Sequence, residues 1–433
     1  MLLKRAQAIF AALCLICTDA RADGVSEGQE LARQALAAAE KGDHAAAADL
    51  LRKALTLRPN HPSATYRYAK ESALAGLTNE AIQALDDYAA MGLTAKIETD
   101  ADFASLATDT RFASLRVQFA RNAEPKGTVA IAATIAEPEI LAEGIAFDSH
   151  RQRLFVGSVR KRKIIVIGQK GEARDFISPA AYGLYGAFGL ALDSTRGSLW
   201  TASTALAHSA TLKDSEKGRA GVFEFALSDG TQKKKALLAV DGKEHVIGDL
   251  TMSPAGDVYA SDSSDPVVYR LAAGGNSLEP FVTIDTFHSL QGLALSPDAA
   301  KLAVADYSSG IHVIDVATRA SAQMRMPAHT TLYGIDALVR YGRDLIGVQN
   351  GIEPQRVVLI RMNSGWTEVE GLDVLAANLP QMDEPTLAAL DGSTLLVVGN
   401  GQWSRFADDG SIKGDQPFAP TRIVRLKLPP ARS

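Results

Sequence analysis

The chain is predicted to fold as α and β in separate domains, an N-terminal α-helical repeat followed by a six-bladed β-propeller. Three observations carry this. One pattern recurs six times between Glu143 and Leu428. The two strand-like ends of that region are suited to pair with each other. The residues before it have helical rather than strand periodicity. The boundaries read as a leader over 1–22, a helical domain over 23–121 and a propeller over 122–430.

Each copy of the repeat is a small turn, an apolar strand opener, a tight polar turn and a second apolar strand. The best-preserved copies are Glu143-Gly-Ile-Ala-Phe-Asp followed by Arg-Leu-Phe-Val-Gly, and Gln291-Gly-Leu-Ala-Leu-Ser-Pro-Asp followed by Lys-Leu-Ala-Val-Ala-Asp. The other openers are Phe188-Gly-Leu-Ala-Leu-Asp, Gly248-Asp-Leu-Thr-Met-Ser-Pro, Tyr333-Gly-Ile-Asp-Ala-Leu and Glu384-Pro-Thr-Leu-Ala-Ala-Leu. A repeat of this length with paired short strands is the signature of propeller blades. Gly127-Thr-Val-Ala-Ile-Ala-Ala-Thr-Ile precedes the first blade, and Thr421-Arg-Ile-Val-Arg-Leu-Lys-Leu ends the last. Pairing them in one blade removes the open sheet edges. Insertions at 207–219 and 401–419 read as polar loops, and Arg160-Lys-Arg-Lys163 as a solvated hairpin.

In the front end, Gly42 and Gly76 lie 34 positions apart, and Ala47/Ala81 and Leu51/Leu85 keep the same register. Pro59 and Pro62 stop the first stretch. Phe103, Phe112 and Leu115 supply an apolar closing helix. This pattern resembles a pair of tetratricopeptide repeats. It implies either a groove for a protein partner or a spacer that docks on the propeller.

Bulk properties exclude several functions. The formal charge is −5, and residues 1–22 carry a net +2, so the remainder is near −7. An acidic, mixed surface does not neutralise phosphates, so no nucleic-acid partner is expected. Lys4 and Arg5, the apolar run from Ala6 to Cys17, and Ala20-Arg21-Ala22 read as a cleavable export signal, which implies a periplasmic or secreted protein. The run is too short for a membrane span. Both cysteines, Cys14 and Cys17, lie inside it, so the remainder has no thiolate nucleophile or cysteine ligand. There is no Gly-x-Ser-x-Gly elbow, His-Glu-x-x-His, phosphate loop or dinucleotide fingerprint. Asp262-Ser-Ser-Asp265 and Asp408-Asp-Gly-Ser lack the ordered spacing of a calcium loop and read as turns.

Over residues 127–430 the openers resemble the senescence-marker-protein/gluconolactonase family of six-bladed propellers, within the strictosidine-synthase and paraoxonase-like superfamily. That resemblance implies a divalent cation, calcium first and zinc or manganese otherwise, and hydrolysis of a small lactone or ester. Oxygen donors suit such an ion, which polarises the carbonyl. Glu143 matches the family's first-blade Glu, and Gln291-Gly292 stands for its blade-four Asn-Gly. The family's blade-five Asp-Gly is Tyr333-Gly334 here, a departure for which Asp336, three residues on, substitutes only if the strand starts differently. Asp249 lies beside the blade-three opener, and Glu384 opens blade six. The implied metal donors are therefore Glu143, Gln291, Glu384 and Asp249.

His245, His288 and His329 each precede an opener by a few residues, so the blade assignment puts them on loops around one mouth of the channel. There they bind a metal, shuttle protons or hydrogen-bond a substrate, or they are unrelated loop histidines. With Asp336 they are the candidates for activating water. Phe188 and Tyr333 are expected to make part of the mouth aromatic. Two functions follow from the residues: a metal-assisted hydrolase of a small lactone or ester, or a non-catalytic envelope protein that binds partners through its helical segment and propeller.

Overall fold

A computed structural model of the chain describes residues 24–432; the export signal expected over 1–22 lies outside the described residues. Five helices come first: α1 (24–40), α2 (His44–Leu57), α3 (Pro62–Leu74), α4 (Thr78–Ala90) and α5 (Thr110–Asn122), with a 3-10 turn at Ala101–Leu106 before the last. Their starts are specified locally. The Asp43 carboxylate accepts from the Ala46 N–H at 3.0 Å, Pro62 opens α3, and Asp109 accepts from the Arg111 N–H at 2.8 Å. Gly42 and Gly76 both adopt left-handed φ angles, +77° and +75°, at matching turns of two helical hairpins. Ala47, Ala81, Leu51 and Leu85 are all buried where these helices cross. Phe103, Phe112 and Leu115 close the stack as expected.

The rest is a ring of six four-stranded antiparallel sheets. Blades one to five are each built from four consecutive strands. Blade six joins Ala388–Asp391, Thr394–Val398 and Thr421–Lys427 to the early strand Val129–Ile135. The early strand pairs with the last one, Val129 opposite Leu426 and Ile135 opposite Thr421, so the ring closes through its two ends. The outermost strands are the most exposed. The inner strand of blade one, Ala142–Asp148, is buried at nearly every position, whereas the outermost strand of blade two, Gln232–Leu237, exposes alternate residues and carries Lys233, Lys234 and Lys235. Charged outer edges discourage pairing with another chain.

The stretch 160–163 is not a solvated hairpin. Arg162 and Lys163 are buried, and they anchor neighbouring segments: Arg162 donates to the Leu184 carbonyl at 3.1 Å and to Glu216 at 3.0 Å, while Lys163 joins Glu137 and Asp175 at 2.6 and 2.7 Å. Each charge is neutralised or hydrogen-bonded, which is what makes burial tolerable.

The helices dock on loops of blades four and five. Arg58 donates to the Ser308 carbonyl at 2.5 Å, Asn60 to the Pro327 carbonyl at 3.1 Å, and the Thr94 N–H to the Glu353 carbonyl at 2.9 Å. Arg356, 1% exposed, donates to Met91 O and to Gln349 Oε1. Among the described residues no helix is long and apolar enough to cross a membrane.

Around the axis the inner strands crowd one another. A Cβ on Gly144 would collide with the Phe188 carbonyl, and one on Gly292 with the backbone of Asp336 and Leu338. By contrast, a Cβ on Gly371, on the outermost strand of blade five, meets only Arg361 Cδ at 3.8 Å. Gly144→Ala is therefore expected to lower stability by about 1–3 kcal/mol, and Gly371→Ala to change it by less than about 0.5 kcal/mol. Urea denaturation midpoints of the two variants check this; equal midpoints contradict the crowding.

Candidate functional site

The crowding also sets which side chains enter the channel. In blades one to five the inner strand carries a register irregularity at its opening. These bulges lie at 143–144, 188–189, 248, 291–292 and 336. A bulge adds a residue that has no ladder partner and re-aims its side chain. Glu143, Phe188, Gln291 and Asp336 occupy such positions, and Asp249 follows the bulged Gly248. All five line one cavity of about 260 Å³ at the end of the channel.

In blades one, three, four and five the opener loop is latched by the residue that ends the second strand of the same blade. Asp262 accepts from the Val246 N–H at 2.9 Å, Asp306 from the His288 N–H at 2.7 Å, and Gln349 donates to the Thr331 and Tyr333 carbonyls. In blade one Ser158 Oγ donates to the Ile140 carbonyl. The blade-five latch is shared with the helices, because Gln349 Oε1 also accepts from Arg356, which holds Met91 O.

Blade five thus opens later than the sequence suggests. Tyr333-Gly334 is a turn, with Gly334 at φ +70°, and the inner strand runs Ile335–Tyr341. The position expected of Tyr333 belongs to Asp336. Tyr333 instead packs its ring 4.6 Å from His61 of the helical segment, so only Phe188 adds the expected aromatic surface at the mouth.

The cavity has two unlike halves. On the polar side Asp336 accepts from Asn350 Nδ2 at 2.7 Å, and Asn350 Oδ1 accepts from Tyr307 at 2.7 Å. Gln291 donates to Ser289 Oγ at 3.0 Å, and among the described residues no protein group donates to its side-chain oxygen. Glu143 Oε2 accepts from the Trp403 indole at 2.7 Å. On the other side stand Phe188, Leu206, Val246, Leu387 and the Trp403 ring.

Electrostatically the site is unbalanced. Glu143, Asp249 and Asp336 face a cavity lined, among the described residues, by no Lys, Arg or His. Desolvation, then repulsion from Asp336, pushes the Glu143 carboxyl well above its ordinary range. Burial, with the nearby Asp336 charge, raises Asp249 to about 7, although the Leu250 N–H opposes this. Burial raises Asp336 to about 6 against the Asn350 hydrogen bond. Carboxylates so placed stay neutral or take up a positive charge.

The other candidates lie elsewhere. Glu384 precedes the last inner strand, which starts at Ala388; its carboxylate accepts from the Ser404 N–H at 2.9 Å and caps that turn outside the cavity lining. None of the three histidines lines the cavity. His245 is buried between Asp262 (2.6 Å) and Asp241 (3.1 Å); burial works against its charged form, but the two carboxylates outweigh it and raise its pKa. His288 bonds Gln29 of α1 at 2.8 Å, and His329 is exposed, 3.9 Å from Asp87. The two insertions expected to be polar loops meet at the mouth. Arg160 Nη1 donates to the carbonyls of His208 and Gly410, one from each insertion, and Trp403 packs 5.2 Å from His208. Trp403, Asn350 and Tyr307 escaped the sequence reading. A Trp within an otherwise polar insertion was the available signal for the first; nothing in the repeat marked the other two.

The donor set suits a hard divalent cation in kind: buried Glu143 and Asp336, half-buried Asp249 and the Gln291 amide oxygen, with no basic side chain in the described lining. As placed, no three His, Cys, Asp or Glu side chains among the described residues are grouped closely enough to hold an ion unaided, so any ion must also use the Gln291 amide or water.

No family model and no curated protein matches the chain. Among solved structures it is similar to a gluconolactonase from Xanthomonas campestris, at 17% identity and TM-score 0.45 over 70% of this chain and 94% of that one. It is similar also to the calcium-binding protein regucalcin from Agrobacterium tumefaciens, at 14% identity and TM-score 0.47 over 69% and 94%. Virginiamycin B lyase from Staphylococcus aureus matches at 13% identity and TM-score 0.46 over 70% and 100%. These likenesses are distant. The fold rests on the six closed sheets, and function has to be argued from the site.

The raised carboxyls have a consequence for stability. Asp249 and Asp336 titrate above the unfolded value of about 3.9, so through them the folded protein holds more protons than the unfolded chain between about pH 4 and 7. Their contribution is present at low pH and is lost as pH rises through that window. In chelator, Asp249→Asn is expected to stabilise the protein at pH 8 by on the order of a few kcal/mol relative to wild type, and to change it little at pH 4. Urea titrations at both pH values check this; a variant less stable at pH 8 contradicts it.

Proposed function

We propose that this propeller is a hydrolase of small lactones or esters that works with a divalent cation, calcium in the first instance, at the channel mouth. The observation that carries the reading is the set of three cavity-lining carboxylates, Glu143, Asp249 and Asp336, with no basic side chain among the described lining residues. Glu143, Gln291 and Asp336 would hold the ion. When bound, it supplies positive charge that polarises the substrate carbonyl and stabilises the oxyanion.

The chain's own residues do the rest. Asn350 and Tyr307 fix the Asp336 carboxylate, and the Trp403 indole fixes Glu143. Asp249, on blade three and lining the same cavity, is the carboxylate left to take a proton from water. The apolar half of the cavity excludes competing water. Residues 1–22 supply the leader that would carry the protein to the periplasm or beyond. The competing reading is a non-catalytic envelope protein that binds partners; a carboxylate, Asp336, in the blade-five bulge favours the hydrolase over it.

Calorimetry with calcium, zinc and manganese is expected to give one site per chain in the wild type and none in Glu143→Gln or Asp336→Asn. A panel of lactones and esters is expected to be turned over, with Asp249→Asn slowing the chemical step by about 10²–10⁴-fold. A protein that binds no cation and hydrolyses nothing overturns the reading.

A further inference from the structure

Part of the apolar half of the cavity is built by segments outside the blade repeat. Trp403 belongs to the insertion of blade six, and Leu206 adjoins the insertion of blade two. The Trp403 ring is fixed from several sides: His208 packs against it edge-on at 5.2 Å, Phe188 lies tilted at 6.3 Å, and its N–H is tied to Glu143 at 2.7 Å. Behind it Phe406 packs on Phe418 at 5.3 Å, and the Arg160 guanidinium lies 5.0 Å from the Phe406 ring. On this side of the cavity the rigid, part-buried aromatic face and Leu206 offer no hydrogen-bond partner for hydroxyl groups and a good surface for a flat apolar group.

We propose that Trp403, backed by Phe188 and Leu206, is the specificity-determining wall of this cavity, and that its ligand is a lactone or ester bearing an aromatic or similarly flat apolar group beside the carbonyl, not a polyhydroxylated one. Trp403 has a second duty as a positioning residue. Its indole holds Glu143 Oε2, and among the described residues no group donates to Oε1, which is left as the available oxygen. The nature of the reaction rests on the hydrolase reading above; the binding preference does not.

The test therefore has a binding arm and a turnover arm. Trp200 and Trp366 are buried in blade cores, 6% and 2% exposed, so Trp403 is the tryptophan that a cavity ligand reaches. Intrinsic fluorescence of the full chain is titrated with a benzo-fused δ-lactone and with a polyhydroxylated δ-lactone. The aryl lactone is expected to quench and to bind more tightly, and Trp403→Ala to weaken it about three- to tenfold. Trp403→Phe should abolish the quench but keep most of the affinity when binding is followed by calorimetry. In turnover it should lower kcat for both lactones with little change in KM, because the ring persists and the hold on Glu143 is lost. Leu206→Asn, on a loop, decides the matter should Trp403→Ala fail to fold: it too should weaken the aryl lactone selectively. Tighter binding of the polyhydroxylated lactone, or aryl affinity unchanged in the variants, overturns the proposal. If no lactone is turned over while the aryl preference stands, the hydrolase reading falls and the wall remains.

Discussion

The close approach of the inner strands around the axis is the constraint on which the rest of this structure depends. Once six sheets close on a common channel, Gly144 and Gly292 lie against the backbone of the next blade, with no room for a Cβ. The strand ends answer with bulges, which in blades one, four and five turn a polar side chain of the opener toward the axis. The same packing that stabilises the ring therefore presents Glu143, Gln291 and Asp336 to one cavity.

That arrangement stores an electrostatic demand. Three carboxylates withdrawn from water, with no basic group among the described lining residues, are costly as anions. The latches that hold the openers keep them from relaxing away. The blade-five latch extends through Gln349 and Arg356 to Met91, so the helical segment supports the loop that precedes Asp336. Arg356 itself is pushed down to about 10 by burial, and its hydrogen bonds to Gln349 and the Met91 carbonyl offset the cost of enclosing its charge. Blade five, which with blade four carries the helices, has Asn350 lining both the channel cavity and the cleft of about 750 Å³ beside α3 and α4.

Much of the fold was legible because each blade repeats the same small-residue opener and polar turn. The closure of the ring was legible because its two terminal strands stand at the ends of the repeat region. The buried Ala and Leu positions of the helices followed from a 34-residue register. Less of the site could be read. Tyr333-Gly334 imitates an opener, yet Gly334 makes a turn, so the Asp that matters stands two residues further on. Glu384 looked equivalent to Glu143 although its strand begins only at Ala388, which leaves its carboxylate free to cap Ser404. The histidines shared loop positions, but side-chain direction is decided by partners such as Asp262 and Gln29 that lie far away in sequence. The insertions were the hardest case: residues that look solvated alone became a wall once two loops met across the mouth.

Anomalous diffraction from crystals grown with manganese tests the central claim most directly. A single strong peak bounded by the side chains of Glu143, Gln291 and Asp336, absent from crystals of Glu143→Gln, is the predicted result. A featureless channel mouth, or an ion bound only at surface carboxylates, would contradict it.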